Sequence, residues 1–147
     1  MPMNDPSTPI NPSFVSAANL AYLGDCVWEL CVREKLVKTN IRQPSVTALD
    51  FVTAKIQSAA VERLLPHLTE AEEDQYRRGR NISHANIPKS ATLAEYRRAT
   101  GLETLFGWLW LNGDEARIRE LFALAFSCDP DSPEEAARER REDGENA

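Results

Sequence analysis

An all-α fold, a helical bundle of one domain, is expected for this 147-residue chain. Apolar residues recur at intervals of three and four across most of residues 14–126. No run of alternating Val, Ile and Thr marks a strand. Two Thr-x-x-Glu boxes, Thr69 to Glu72 and Thr92 to Glu95, mark helix starts. A hydrophobic fraction of 42% and a charged fraction of 27% suit a soluble globular domain. That composition excludes collagen, a coiled-coil rod and wholesale disorder.

The elements follow in order. A first helix is expected from Phe14 to Val37, with Leu20, Leu23, Val27, Leu30 and Cys31 on one stripe. A second is expected from Pro44-Ser45 to Leu65, with Val46, Leu49, Val52, Ile56, Ala60 and Leu64 on one face. Pro44 and Pro66 bracket it. A third opens at Thr69 and ends in Arg77-Arg78-Gly79-Arg80-Asn81. Residues 79–90 read as a loop, rich in Gly, Asn and Pro with no apolar period. The next helix runs from Thr92 to Leu111 and is stopped by Asn112-Gly113. Asp114 caps a last helix to about Phe126. The resulting organisation is a flexible arm over residues 1–13, a folded body over 14–127, and a disordered acidic tail over 128–147.

No stretch approaches the ~20 apolar residues of a membrane span, so no membrane association is expected. The first residues lack the basic start of a signal peptide. Three cysteines (Cys26, Cys31, Cys128), with no CxxC pair, argue against a disulfide framework and for a reducing, cytoplasmic setting.

The net charge of −6 is unevenly spread. Residues 75–98 carry six basic groups against Glu95 alone, whereas 129–147 carry three arginines and eight acids. An acidic chain with one basic segment can hold a polyanion locally. Arg77, Arg78, Arg80 and Asn81 precede the loop, His84 and Lys89 lie in it, and Arg97 and Arg98 follow it. Lys55 is a weaker candidate for the same surface. Arginine forks suit phosphate, so these residues are candidates for reading a nucleic-acid backbone, with A-form RNA favoured where shape is recognised.

Asp25 and Glu103 stand out because both fall on helices apolar on all sides. A buried carboxylate needs a partner, a proton or a metal. Spacing leaves two readings open: neutralisation by Arg33, Arg97 or Arg98, or a meeting of the two acids around one divalent cation, which Mg²⁺ accepts with several waters retained. Glu29 is expected to pair with Arg33 one turn on. Glu72-Glu73-Asp74 suits a capped helix start better than a metal site. Cys26 and the tryptophans Trp28, Trp108 and Trp110 are expected in the core.

At these residues the chain resembles a known family. Leu20-Ala21-Tyr22-Leu23-Gly24-Asp25-Cys26-Val27 resembles the signature helix of the ribonuclease III family, and Leu102-Glu103-Thr104-Leu105-Phe106-Gly107 its second acidic motif. Arg78-Gly79-Arg80-Asn81, Pro88-Lys89 and Tyr96-Arg97-Arg98-Ala99-Thr100 look like its compact branch, Mini-ribonuclease III. The resemblance implies an all-α endonuclease domain working as a homodimer, with two active sites in a valley for double-stranded RNA. It implies metal-assisted hydrolysis of a phosphodiester, with Asp25 and Glu103 as catalytic, metal-binding carboxylates. Mg²⁺ would be the cofactor, with Mn²⁺ able to substitute. The substrate implied is the stem of precursor 23S ribosomal RNA, with a ribosomal protein as a candidate helper.

The chain departs from the full-length family pattern at Ala21 and Thr100, where that family carries further acids, and the compact branch shares the loss. No double-stranded-RNA-binding domain is expected after residue 128, the nineteen polar residues there being too few, so RNA affinity is expected to come from the folded body. Two other functions remain in view. One is a module that binds double-stranded RNA in ribosome assembly without cutting it. The other, prompted by Glu72-Glu73-Asp74, is a helical nucleotide pyrophosphohydrolase, for which no second acidic set is found.

Overall fold

The computed structural model describes residues 5, 7–40, 42, 53–82 and 91–126. Five α-helices and two short 3-10 turns make up the regular structure among them, and none of these residues is in a strand. The helices are α1 (Ala17–Lys38), α2 (Ala54–Leu64), α3 (Glu70–Arg80), α4 (Leu93–Leu111) and α5 (Glu115–Ala125). The 3-10 turns are Pro12–Phe14 and Leu65–His67.

The helix ends follow local chemistry. Ser16, Thr53, Thr69, Thr92 and Asp114 each accept a hydrogen bond from the backbone N–H three residues on, satisfying a donor the helix leaves unpaired. Both expected capping boxes form: Glu72 and Glu95 accept from the backbone N–H of Thr69 and Thr92. Asn112 ends α4, and Gly113 takes φ 72°, a conformation that favours glycine. Two expectations are corrected. The first helix begins at Ala17, because Ser16 is extended and caps it. No single helix runs from residue 45 to 65, because Thr53 is extended (ψ 152°) and starts a new one. Pro44, Ser45 and the remainder of 43–52 lie outside the described residues.

Helix α4 is the axis, packed by α1, α2 and α3. Glycines on both helices let the α1–α4 contact close. A Cβ on Gly24 would overlap the carbonyl oxygen of Glu103, and one on Gly107 would overlap that of Leu20. Backbone therefore meets backbone where α1 crosses α4. Below the crossing, Trp28 is fully buried against Phe106, Phe122 and Phe126, with ring centroids 5.4, 5.2 and 5.7 Å away. Trp108 is half-buried, and its indole N–H donates to Ser13 Oγ (3.4 Å). Trp110, Leu30 and Cys26 are exposed, so their expected place in the core is corrected. No described helix is long and apolar enough to cross a membrane.

Glu72 ties α3 to α5. Besides capping Thr69, it accepts from Arg117 Nε (2.9 Å) and Nη2 (2.8 Å) while almost wholly buried. Burial acts to raise its pKa, but the Arg117 hydrogen bond and the capping contact together hold it below its ordinary value. Arg117→Ala leaves this acid buried without its cation and is expected to cost about 3 kcal/mol. Urea unfolding at pH 7 checks this. The pair's contribution is present above the ordinary Glu pKa and is lost as pH falls through the depressed one, so the difference should shrink in acid.

Candidate active site

The α1–α4 crossing decides where the two anomalous acids go. Gly24 touches the backbone of Glu103, so the next residue, Asp25, emerges beside the Glu103 side chain. The two carboxyl groups lie close enough for each to perturb the other. Asp25 is exposed at the rim, which corrects its expected burial, and Glu103 is half-buried beneath it. Gln57, from α2 and only 2% exposed, donates through Nε2 to Glu103 Oε1 (3.2 Å).

Burial, and after it the charge of Asp25, pushes the Glu103 carboxyl up to about 8, against the lowering effect of the Gln57 hydrogen bond. Burial also raises Asp25, and the charge of Glu29 adds to this. At neutral pH the proton therefore resides on Glu103, the more deeply buried of the two.

Among the described residues, no arginine neutralises either acid. Arg33 is held by Glu29 (2.5 Å), as expected, and Arg98 by Glu62 (3.0 Å). Among the described residues, neither Asp25 nor Glu103 has an ion-pair partner. Two adjacent carboxylates that need a proton to coexist form a donor set suited to a hard divalent cation, which takes one or two carboxylates and keeps waters. The described residues contain no group of three or more His, Cys, Asp or Glu placed for a metal. Ala21 and Thr100 add no ligand: both are buried, and the Thr100 hydroxyl donates to the Tyr96 carbonyl (3.0 Å).

The basic residues separate into three groups. Arg77 is paired with Glu73 (2.6 Å) and Asp74 (3.8 Å), and Arg78 donates to Gln75 (2.6 Å) and to the Val15 carbonyl (2.8 Å). These two brace the helix and the chain's entry into α1. Arg80, Asn81, Arg97 and Arg98 instead converge with Tyr76 on an open cavity of about 320 Å³, where the Arg80 guanidinium lies 5.8 Å from the Tyr76 ring centre. Lys55 is exposed at the start of α2, where its charge is felt by Glu95. His84 and Lys89 lie outside the described residues.

Gln57 was not among the residues expected from sequence. Its signal is a polar side chain four residues before Val61 and seven before Leu64, on the buried face of α2. Glu72 and Glu73 are spent on Arg117 and Arg77, which removes the acids that prompted a pyrophosphohydrolase.

Comparison with known proteins agrees with this geometry. Residues 18–114 match the family model described as Ribonuclease III domain, so the chain belongs to the ribonuclease III family and is an endoribonuclease. Its curated relatives place it in the compact branch. It is 42% identical over 118 residues to Mini-ribonuclease 3 of Symbiobacterium thermophilum, covering 78% of this chain and 91% of that protein. It is 36% identical over 120 residues to Mini-ribonuclease 3 of Brevibacillus brevis, covering 80% and 90%. A crystal structure of a protein from Fusobacterium nucleatum superimposes with a TM-score of 0.69 at 30% identity, covering 77% of this chain and 93% of that one.

Proposed function

We propose that this endoribonuclease cuts double-stranded RNA by metal-assisted hydrolysis, with Asp25 and Glu103 as its catalytic, metal-binding carboxylates. The observation that carries this reading is the meeting of the two acids with no basic side chain between them. A divalent cation held there, Mg²⁺ or Mn²⁺, supplies Lewis acidity to the scissile phosphodiester and its attacking water. Glu103 would hold the cation in its ionised form, having released its proton, and Asp25 at the rim would face the RNA. Water adds to phosphorus and the bond to the 3′ oxygen breaks, leaving 5′-phosphate and 3′-hydroxyl ends.

Arg80, Asn81, Arg97 and Arg98 are the described residues best placed to hold the phosphate backbone, with Lys55 beside them. Arg77, Arg78, His84 and Lys89 complete the basic surface read from sequence. Arg97→Ala is expected to weaken duplex binding similarly for all sequences and to reduce the salt slope by about one. An unchanged slope in binding titrations at several salt concentrations contradicts that role.

The working unit is a homodimer. Tyr22 (86% exposed), Cys26, Leu30 and Val37 form a strip along α1 that none of the described residues covers, and Trp110 adjoins Leu30. Tyr22→Asp is expected to yield monomers in sedimentation experiments at micromolar concentration, where the unaltered chain is a dimer. We further propose action in the cytoplasm on stems of precursor 23S ribosomal RNA, with a ribosomal protein as helper. Incubation with that precursor, with and without ribosomal proteins, and mapping of the product ends tests the substrate. Cleavage confined to unpaired regions contradicts it.

A further inference from the structure

Gln57 is the most deeply buried polar side chain at the site, and the chemistry above assigns it no role. It sits on the first turn of α2, behind the Thr53 cap, and is 2% exposed. A buried amide requires partners, and this one spends its Nε2 donor on Glu103 Oε1 at 3.2 Å. The orientation is set by chemistry: the Glu103 oxygen facing Gln57 accepts whether the group is ionised or carries its proton on the other oxygen, so the amide nitrogen must face it. Glu103 is therefore gripped from α2 on one side and meets Asp25 from α1 on the other. Helix α2 thus joins the site through a single residue.

We propose that Gln57 is a positioning residue that holds the Glu103 carboxylate in the orientation in which it and Asp25 share one divalent cation. This rests on the two-carboxylate reading given above. Groups that orient a metal ligand typically change metal affinity by about 10–100-fold when removed. A side chain that only fills space changes stability and leaves affinity alone.

The test is Mn²⁺ binding to the RNA-free protein by calorimetry, alongside thermal melting and duplex cleavage titrated with Mn²⁺. The unaltered chain is compared with Gln57→Leu, Gln57→Asn and Glu103→Gln. Gln57→Leu keeps the volume and removes the donor, whereas Gln57→Asn keeps the amide but shortens its reach. Both are expected to bind Mn²⁺ at least about tenfold more weakly. Both should need correspondingly more Mn²⁺ for half-maximal cleavage and recover most of the rate at saturation. Should Gln57→Leu fail to fold, Gln57→Asn carries the comparison. Native Mn²⁺ affinity in a folded Gln57 variant, with affinity lost in Glu103→Gln, overturns the role of Gln57 alone. Native affinity in Glu103→Gln overturns the two-carboxylate reading itself.

Discussion

Glu103→Gln is expected to abolish duplex cleavage and, without added metal, to make the protein more stable at pH 8. The two effects share a cause. Half-burial and the neighbouring Asp25 charge push Glu103 up to about 8, well above its ordinary value of 4.5. The folded chain therefore retains a proton that the unfolded chain releases, and stability falls as pH rises from the ordinary value through about 8. Glutamine carries no charge, so the variant escapes this loss, a gain on the order of 2 kcal/mol at pH 8. At pH 4, where both states of the original hold the proton, the two should melt together. Adding Mg²⁺ should stabilise the original and leave the variant unchanged, since only a site that binds gains by mass action. The loss of a cation ligand removes several kcal/mol of transition-state stabilisation, so cleavage should fall by about a thousandfold or more. Melting curves across pH, with and without Mg²⁺, and single-turnover cleavage check the two halves separately. A variant that cuts normally places the chemistry elsewhere.

Gly24→Ala is expected to damage stability and activity together. The added Cβ would overlap the carbonyl oxygen of Glu103, and the atom in its way belongs to the backbone of the central helix. No side-chain rotation relieves such a clash, so α1 and α4 must separate. Overpacking of this kind costs about 3 kcal/mol or more, a fall in Tm of about 10 °C for a chain of this size. The same shift carries Asp25 away from Glu103, and a displacement of about 1 Å at a reacting group can cost a hundredfold in rate. Gly113→Ala is the control. Its Cβ meets nothing, its φ of 72° is its only strain, and about 1 kcal/mol is the expected loss, with cleavage kept. Thermal melts of both variants, paired with cleavage rates at a temperature where each is folded, separate the two causes.

The all-α class, both capping boxes, the stop at Asn112-Gly113 and the Asp114 cap were legible because each depends on residues within one turn. Asp25 and Glu103 were legible as polar intrusions into apolar helices, and their meeting follows from the Gly24–Gly107 crossing. What spacing could not supply was depth and pairing. The helix bearing Asp25 is apolar on its outer side as well, yet Tyr22, Cys26 and Leu30 are exposed, because none of the described residues covers that side. Two of the arginines offered to the acids, Arg33 and Arg98, went to Glu29 and Glu62, partners fixed by helix spacing in one case and by packing of α2 on α4 in the other. Arg78, a candidate phosphate contact by composition, also reaches back to Val15, a long-range bond with no local signature. Gln57 is uncharged and carries no motif, yet its buried amide poses the same demand for a partner as a buried acid does.

Cleavage of a long RNA duplex at low salt, by the unaltered chain with Mg²⁺, the unaltered chain with EDTA, and Asp25→Asn with Mg²⁺, tests the central claim most directly. The account predicts cutting in the first reaction alone, with 5′-phosphate ends, and undiminished duplex binding by the variant. Undiminished cutting by Asp25→Asn or in EDTA, or a duplex left intact by the unaltered chain that nevertheless binds it, would contradict the account.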